Sequence, residues 1–209
     1  MPKRHRKAYW DSCEVYRDDQ AKRTAYEAAL DFAGEEAGSL DELSPGQIEV
    51  TREGADVTCF SLLLMGDHGT GKTFLATATF KHLLWHASGK SAIWSKFYDF
   101  IREVQSTYSA AATTTVQKVL GKYQNTPILL LDDVGDLTIE EQTEDRRRLL
   151  YEVLDKRNDK MLPTILTSNL SPARFEDQFG ERTLERVIEM AAMYRMEGRN
   201  YRQNPITDQ

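Results

Sequence analysis

The segment Gly66-Asp67-His68-Gly69-Thr70-Gly71-Lys72-Thr73 fits G-x-x-x-x-G-K-[ST] at every fixed position, and its flanks leave it few folds to belong to. The apolar run Ser61-Leu62-Leu63-Leu64-Met65 enters it as a buried strand, and Phe74 to Trp85 leaves it as a helix. Glycines let the backbone curl so that its N–H groups and the helix N-terminus face phosphate oxygens. All of Gly66 to Phe74 is therefore expected at a nucleotide. Lys72 reaches toward the β- and γ-phosphates, and the Thr73 hydroxyl sits on magnesium. The expected ligands are ATP and Mg2+.

A second element supplies the carboxylates. Ile128-Leu129-Leu130-Leu131 reads as a buried strand, and Asp132-Asp133 emerges at its C-terminal end, where parallel sheets bind ligands. Asp132 is the candidate magnesium ligand, directly or through water. Asp133 is the candidate to orient or deprotonate the attacking water. The strand Thr164-Ile165-Leu166-Thr167 ends in Ser168-Asn169. The Asn169 amide is a candidate to position that water; Ser171 before Pro172 already supplies a cap for the next helix.

The rest of the pattern alternates strand and helix. Ser91 to Trp94 is strand-like, Phe97 to Tyr108 helical, residues 109–115 a connection, Val116 to Tyr123 helical, and Glu140 to Arg157 a long helix. Continuous apolar strands separated by helices mean a parallel sheet covered on both faces. The fold expected is a P-loop three-layer α/β/α domain over residues 56–209. Residues 1–55 form an N-terminal extension, with a helix from about Arg17 to Ala33, that either packs on the core or docks a partner.

A chain of 209 residues with 40% hydrophobic and 29% charged residues is ordinary for a soluble globular protein. It has no apolar run near the roughly 20 residues a bilayer span needs, so no membrane role is expected. Cys13 and Cys59 have no C-x-x-C spacing, and the cytoplasm is the expected compartment. The net charge of −6 argues against coating duplex DNA by bulk electrostatics, though not against a local basic groove. His82 and His86 lie four apart, but Leu83 stands where a metalloprotease helix carries Glu, so packing is the better reading.

From Leu62 to about Arg202 the chain resembles the DnaC/IstB branch of the AAA+ ATPases. The resemblance rests on the phosphate loop with Phe74-Leu75-Ala76, on Leu130 to Gly135, and on Pro163 to Leu170. It rests also on Gly180-Glu181-Arg182 with Arg186, and on Gly198…Tyr201-Arg202. By composition alone Arg182 and Arg186 are a solvated helical face. The resemblance implies more: a sensor role for Asn169, an arginine finger acting across a subunit boundary for Arg186, and a nucleotide contact for Arg202. Such a finger makes hydrolysis depend on assembly, so a homo-oligomer is expected.

The branch contains helicase loaders, which bind ATP and single-stranded DNA and deliver a replicative helicase. It also contains helper ATPases of transposition, whose partner is a transposase. In the loaders the region corresponding to 95–126 lines the DNA path, which makes Lys96, Tyr98, Arg102, Tyr108 and Lys118 candidate contacts. The seven residues after Arg202 leave no room for the C-terminal helical lid of most AAA+ proteins, as in this branch. Asp133 stands where many AAA+ proteins have Glu. A P-loop small-molecule kinase is the rival from another class; the paired arginines and the missing lid speak against it.

Overall fold

The computed structural model describes residues 22–33, 47–52, 55–86, 91–135, 144–198, 200, 201 and 203. Among these, a helix α1 (Arg23–Ala33) precedes an antiparallel pair, β1 (Ile48–Arg52) and β2 (Ala55–Cys59). There follow β3 (Ser61–Met65), α2 (Lys72–His86), β4 (Ala92–Lys96), α3 (Phe97–Ser106) and α4 (Val116–Asn125). The chain continues through β5 (Ile128–Asp132), α5 (Glu144–Asp159), β6 (Thr164–Ser168), α6 (Pro172–Phe179), α7 (Glu181–Met190) and β7 (Ala191–Arg195).

Five strands form one parallel sheet in the order β4-β5-β6-β3-β7. β3, β5 and β6 are buried at every position, as their unbroken apolar runs require of strands covered on both faces. Alternate residues face opposite layers. Leu62, Leu64, Leu130 and Ile165 join α1 and α2 in one core. Leu63, Leu129, Leu131 and Leu166 join α3 to α7 in the other. This is the expected three-layer α/β/α arrangement.

All five strands run the same way, so their C-terminal ends share one edge. Met65 lies opposite Ser168 and Arg195, and Lys96 opposite Asp132. Leu131 lies opposite Leu166, which brings the next residues, Asp132 and Thr167, together beyond it.

Two elements depart from the sequence reading. The β1–β2 pair stands where no strands were expected, and it joins residues on both sides of position 55. β7 completes the sheet beside β3, although Ala191-Ala192-Met193 carries little strand propensity. Pairing with β3 and burial of Ala191 and Ala192 override that preference. Within the range assigned to the extension, α1 buries Tyr26, Leu30 and Phe32 in the core against α2. Residues 17–21 of the expected first helix and 140–143 of the expected long helix lie outside the described residues.

Candidate functional site

The phosphate loop is shaped by positions where only glycine fits. Gly66 has φ +138°, and a Cβ there would lie 2.1 Å from the carbonyl oxygen of Met196. Gly69 has φ +81°, and its missing side chain makes room for the Asn200 amide, 2.0 Å from where a Cβ would be. Asn200 Nδ2 also donates to His68 O at 3.1 Å, and Tyr201 N–H donates to Gly69 O at 2.9 Å. Residues near the end of the described chain thus brace the loop tip.

The loop ends in α2. Lys72 is buried and its Nζ donates to Gly66 O at 2.6 Å and Asp67 O at 2.7 Å, so the ammonium sits inside the curl of the loop. The buried Thr70 hydroxyl donates to Asp67 O at 2.9 Å. Asp67 and His68 are exposed at the tip, while Phe74 packs against the core formed by α1 and α2.

Strands β5 and β6 bring the carboxylates to this loop. Thr73 Oγ1 donates to Asp132 Oδ1 at 2.8 Å, and Thr167 Oγ1 donates to the same oxygen at 2.7 Å. Asp132 is completely buried, yet its Oδ2 has no hydrogen-bond partner among the described residues. Burial raises the Asp132 carboxyl above the usual carboxylate range, and the Asp133 charge adds to the shift. The Thr167 and Thr73 hydroxyls and the Lys96 ammonium pull it back down.

Asp133 takes a left-handed backbone, φ +58°, and its N–H donates to Thr167 Oγ1 at 2.9 Å. Its carboxylate pairs with Lys96 Nζ at 2.6 Å.

The donor set fits magnesium. An orphaned carboxylate oxygen and a threonine hydroxyl, whose proton is already committed to that carboxylate, leave oxygen lone pairs for a hard cation. Mg2+ is commonly held by one or two carboxylates plus substrate phosphates, not by an all-protein cage.

The family of IstB-like ATP binding proteins matches residues 57–205. The chain belongs to that family, the DnaC/IstB-type AAA+ ATPases. Its members are P-loop ATPases, which supports ATP binding and ATPase activity in general. The replicative helicase loader DnaI of Bacillus subtilis (strain 168) is 29% identical over 153 residues, covering 68% of this chain and 47% of DnaI. The replicative helicase loader DnaC of Buchnera aphidicola subsp. Acyrthosiphon pisum (strain APS) is 28% identical over 129 residues, or 61% of this chain and 50% of that protein. The chain thus spans about half the length of these curated relatives. A crystal structure of the DnaC helicase loader superposes with a TM-score of 0.69 at 22% identity, covering 94% of this chain and all of the other. At that identity the likeness speaks for the fold.

The remaining candidate residues of this IstB-like chain are dispersed. Asn169, at the tip of β6, lines a cavity of about 210 Å³ beside the loop, together with Gly66, Asp67, Tyr194 and Arg195. Arg186 lies on α7 and is bound within its own subunit, to Asp155 of α5 at 2.8 Å and to Glu189. Arg182 is exposed on the same helix. Arg202 lies outside the described residues. Tyr98 and Tyr108 are exposed, Arg102 stacks 5.8 Å from the Tyr98 ring centre, and Lys118 is exposed on α4.

The sequence reading missed two contributors. Thr167 was read only as part of a strand, although a hydroxyl on a buried strand beside two aspartates is itself a signal, since it must find a partner. The sequence makes Lys96 a candidate DNA contact, whereas the register of β4 against β5 sets its ammonium on Asp133.

Proposed function

We propose that this chain is an ATP-hydrolysing helicase loader that assembles on single-stranded DNA and delivers a replicative helicase. The observation that carries the ATPase part is the joint tethering of Asp132 by Thr73 and Thr167, which fastens the phosphate loop to the carboxylate strand. The names of the relatives, loaders of replicative helicases, support the helicase as partner. In this reading the loop N–H groups and Lys72 bind the triphosphate, and Thr73 and Asp132 hold magnesium. Held there, the ion would neutralise charge on the triphosphate. Asp133 accepts the proton of the attacking water, and Asn169 orients it.

Arg186 acts on the γ-phosphate of a neighbouring copy, leaving its Asp155 pairing to do so, and Arg202 contacts nucleotide. Tyr98, Tyr108 and Arg102 offer stacking surfaces to bases, with Lys118 for phosphates. The match to IstB-like proteins favours a second reading, a helper ATPase of transposition that shares this core and acts with a transposase on duplex target DNA.

The test is particle size and ATP turnover with magnesium, with and without a single-stranded oligonucleotide. Assembly and stimulation on single strands are expected; stimulation by duplex alone, with capture of a transposase, would favour the second reading. Mixing Arg186→Ala with Lys72→Ala protein should restore turnover that neither has alone. No recovery would remove Arg186 from the site.

A further inference from the structure

We infer that Thr167 is a positioning residue of the metal–nucleotide site: its one hydroxyl selects which oxygen of Asp132 faces the cation and fixes the backbone that carries Asp133. The inference rests on the nucleotide-binding reading above.

Thr167 is fully buried near the C-terminal end of β6, next to Leu166. A hydroxyl in such surroundings is costly unless hydrogen-bonded, and this one is used in both senses. It donates to Asp132 Oδ1 and accepts the Asp133 N–H. The Thr167 carbonyl accepts the Val134 N–H at 2.8 Å, and the Ser168 hydroxyl donates to Val134 O at 2.7 Å. β6 therefore holds the chain after β5 for two residues beyond the strand end.

Two consequences follow for the cation. With both Thr73 and Thr167 donating to Oδ1, that oxygen is saturated, and Oδ2 is the one left bare. A single tether would let the carboxylate pivot; two hydroxyls, one from helix α2 and one from strand β6, hold its plane. The Asp133 N–H, donated to the same hydroxyl, helps keep that residue at φ +58°, a region that is uncommon outside glycine. One side chain thus sets the orientation of both acids without touching substrate. Partners of this kind behind a metal ligand are typically worth about 10–100-fold in metal affinity.

The experiment compares the parent with Thr167→Val, which keeps shape and loses the hydroxyl, and Thr167→Ser, which keeps the hydroxyl. Binding of a fluorescent ATP analogue is titrated at fixed nucleotide over a range of Mg2+, with metal-free binding measured alongside. Thr167→Val is expected to need about 10-fold more Mg2+ for half-maximal binding, with metal-free affinity within about 2-fold and Thr167→Ser close to the parent. An unchanged Mg2+ requirement in Thr167→Val overturns the inference. Equal loss of metal-free and metal-dependent binding also overturns it, because that would be the mark of a merely structural role. Should Thr167→Val fail to fold by circular dichroism, Thr167→Cys, a much weaker donor, replaces it under the same criteria. A parent that binds no nucleotide at any Mg2+ concentration overturns instead the ATPase reading beneath it.

Discussion

The two ends of the parallel sheet each bury an ionisable side chain, and they treat it in opposite ways. At the C-terminal end, Asp132 has one oxygen doubly bonded and the other bare. At the N-terminal end, Arg157 of α5 is completely buried, and all its bonds go to neutral oxygens. Its Nε donates to Thr164 Oγ1 at 2.8 Å, Nη1 to Tyr123 O at 2.9 Å and Thr126 O at 2.7 Å, and Nη2 to Pro163 O at 2.7 Å. Tyr123 and Thr126 end α4, so the guanidinium also meets the negative end of a helix dipole. Burial lowers the Arg157 pKa to about 9, which still leaves it charged at neutral pH. A buried charge with every nitrogen hydrogen-bonded is a strut. One left with a bare atom marks where something else binds.

The sharpest way to break this contrast is Asp133→Asn, at the open end. If Asp133 is the base, turnover should fall about 10²–10⁴-fold with nucleotide binding kept, as single-turnover and binding assays would report. Equal loss of both would make it a structural residue like Arg157.

At the closed end, Arg157→Met keeps bulk but strands the carbonyls of Tyr123 and Thr126, while that of Pro163 keeps the Leu129 N–H. At about 1–3 kcal/mol for each buried orphan, the loss is at least ~2 kcal/mol. Tm should fall by roughly 4–8 °C, at roughly 2–4 °C per kcal/mol. Affinity for nucleotide, measured on the folded fraction, should not change.

Asp132→Asn should have the opposite sign in stability. The folded protein holds the Asp132 proton more tightly than the unfolded chain, whose pKa is near 3.8. Stability from this group is therefore present at low pH and falls as pH rises from there through the raised folded value. Removing the charge should raise Tm at neutral pH, and the gain over the parent should close as pH drops toward the unfolded pKa. Differential scanning measurements from acid to neutral pH would read it, and Mg2+-dependent binding should be lost in the same protein.

The smallest effect belongs to Lys96→Ala. The half-buried ammonium occupies an oxygen that would otherwise accept a proton from water. Freeing it should speed basal hydrolysis by no more than about 5-fold, in keeping with roughly 1 kcal/mol for such a pair. Slower turnover would mean that Lys96 orients Asp133 instead of occupying it.

The open end was much more legible in the sequence than the closed one. The loop from Gly66 to Thr73 and the run into Asp132-Asp133 are local, and each carries its chemistry in consecutive residues. Arg157 looked like one more charge in a helix rich in charges; its acceptors come from residues 31 and 34 positions away and from the turn before β6. β1 and β2 were missed although Ile48 and Val50, and Val57 and Cys59, alternate with polar neighbours, because each run is short. β7 was missed because its pairing with β3 spans 130 positions between Ser61 and Ala191. The buried Thr167 hydroxyl signals in sequence that it needs a partner, but which partner follows only from the pairing of β5 with β6.

The left-handed turn at Asp133 also bears on which acid can stand there. Short polar side chains such as Asp and Asn enter that region of backbone space more readily than longer ones. A glutamate would carry its carboxylate one methylene farther on the same twisted stem, past the point where Lys96 now meets it. The choice of the shorter acid is thus tied to a bend in the main chain, and exchanging one for the other alters reach and conformation together.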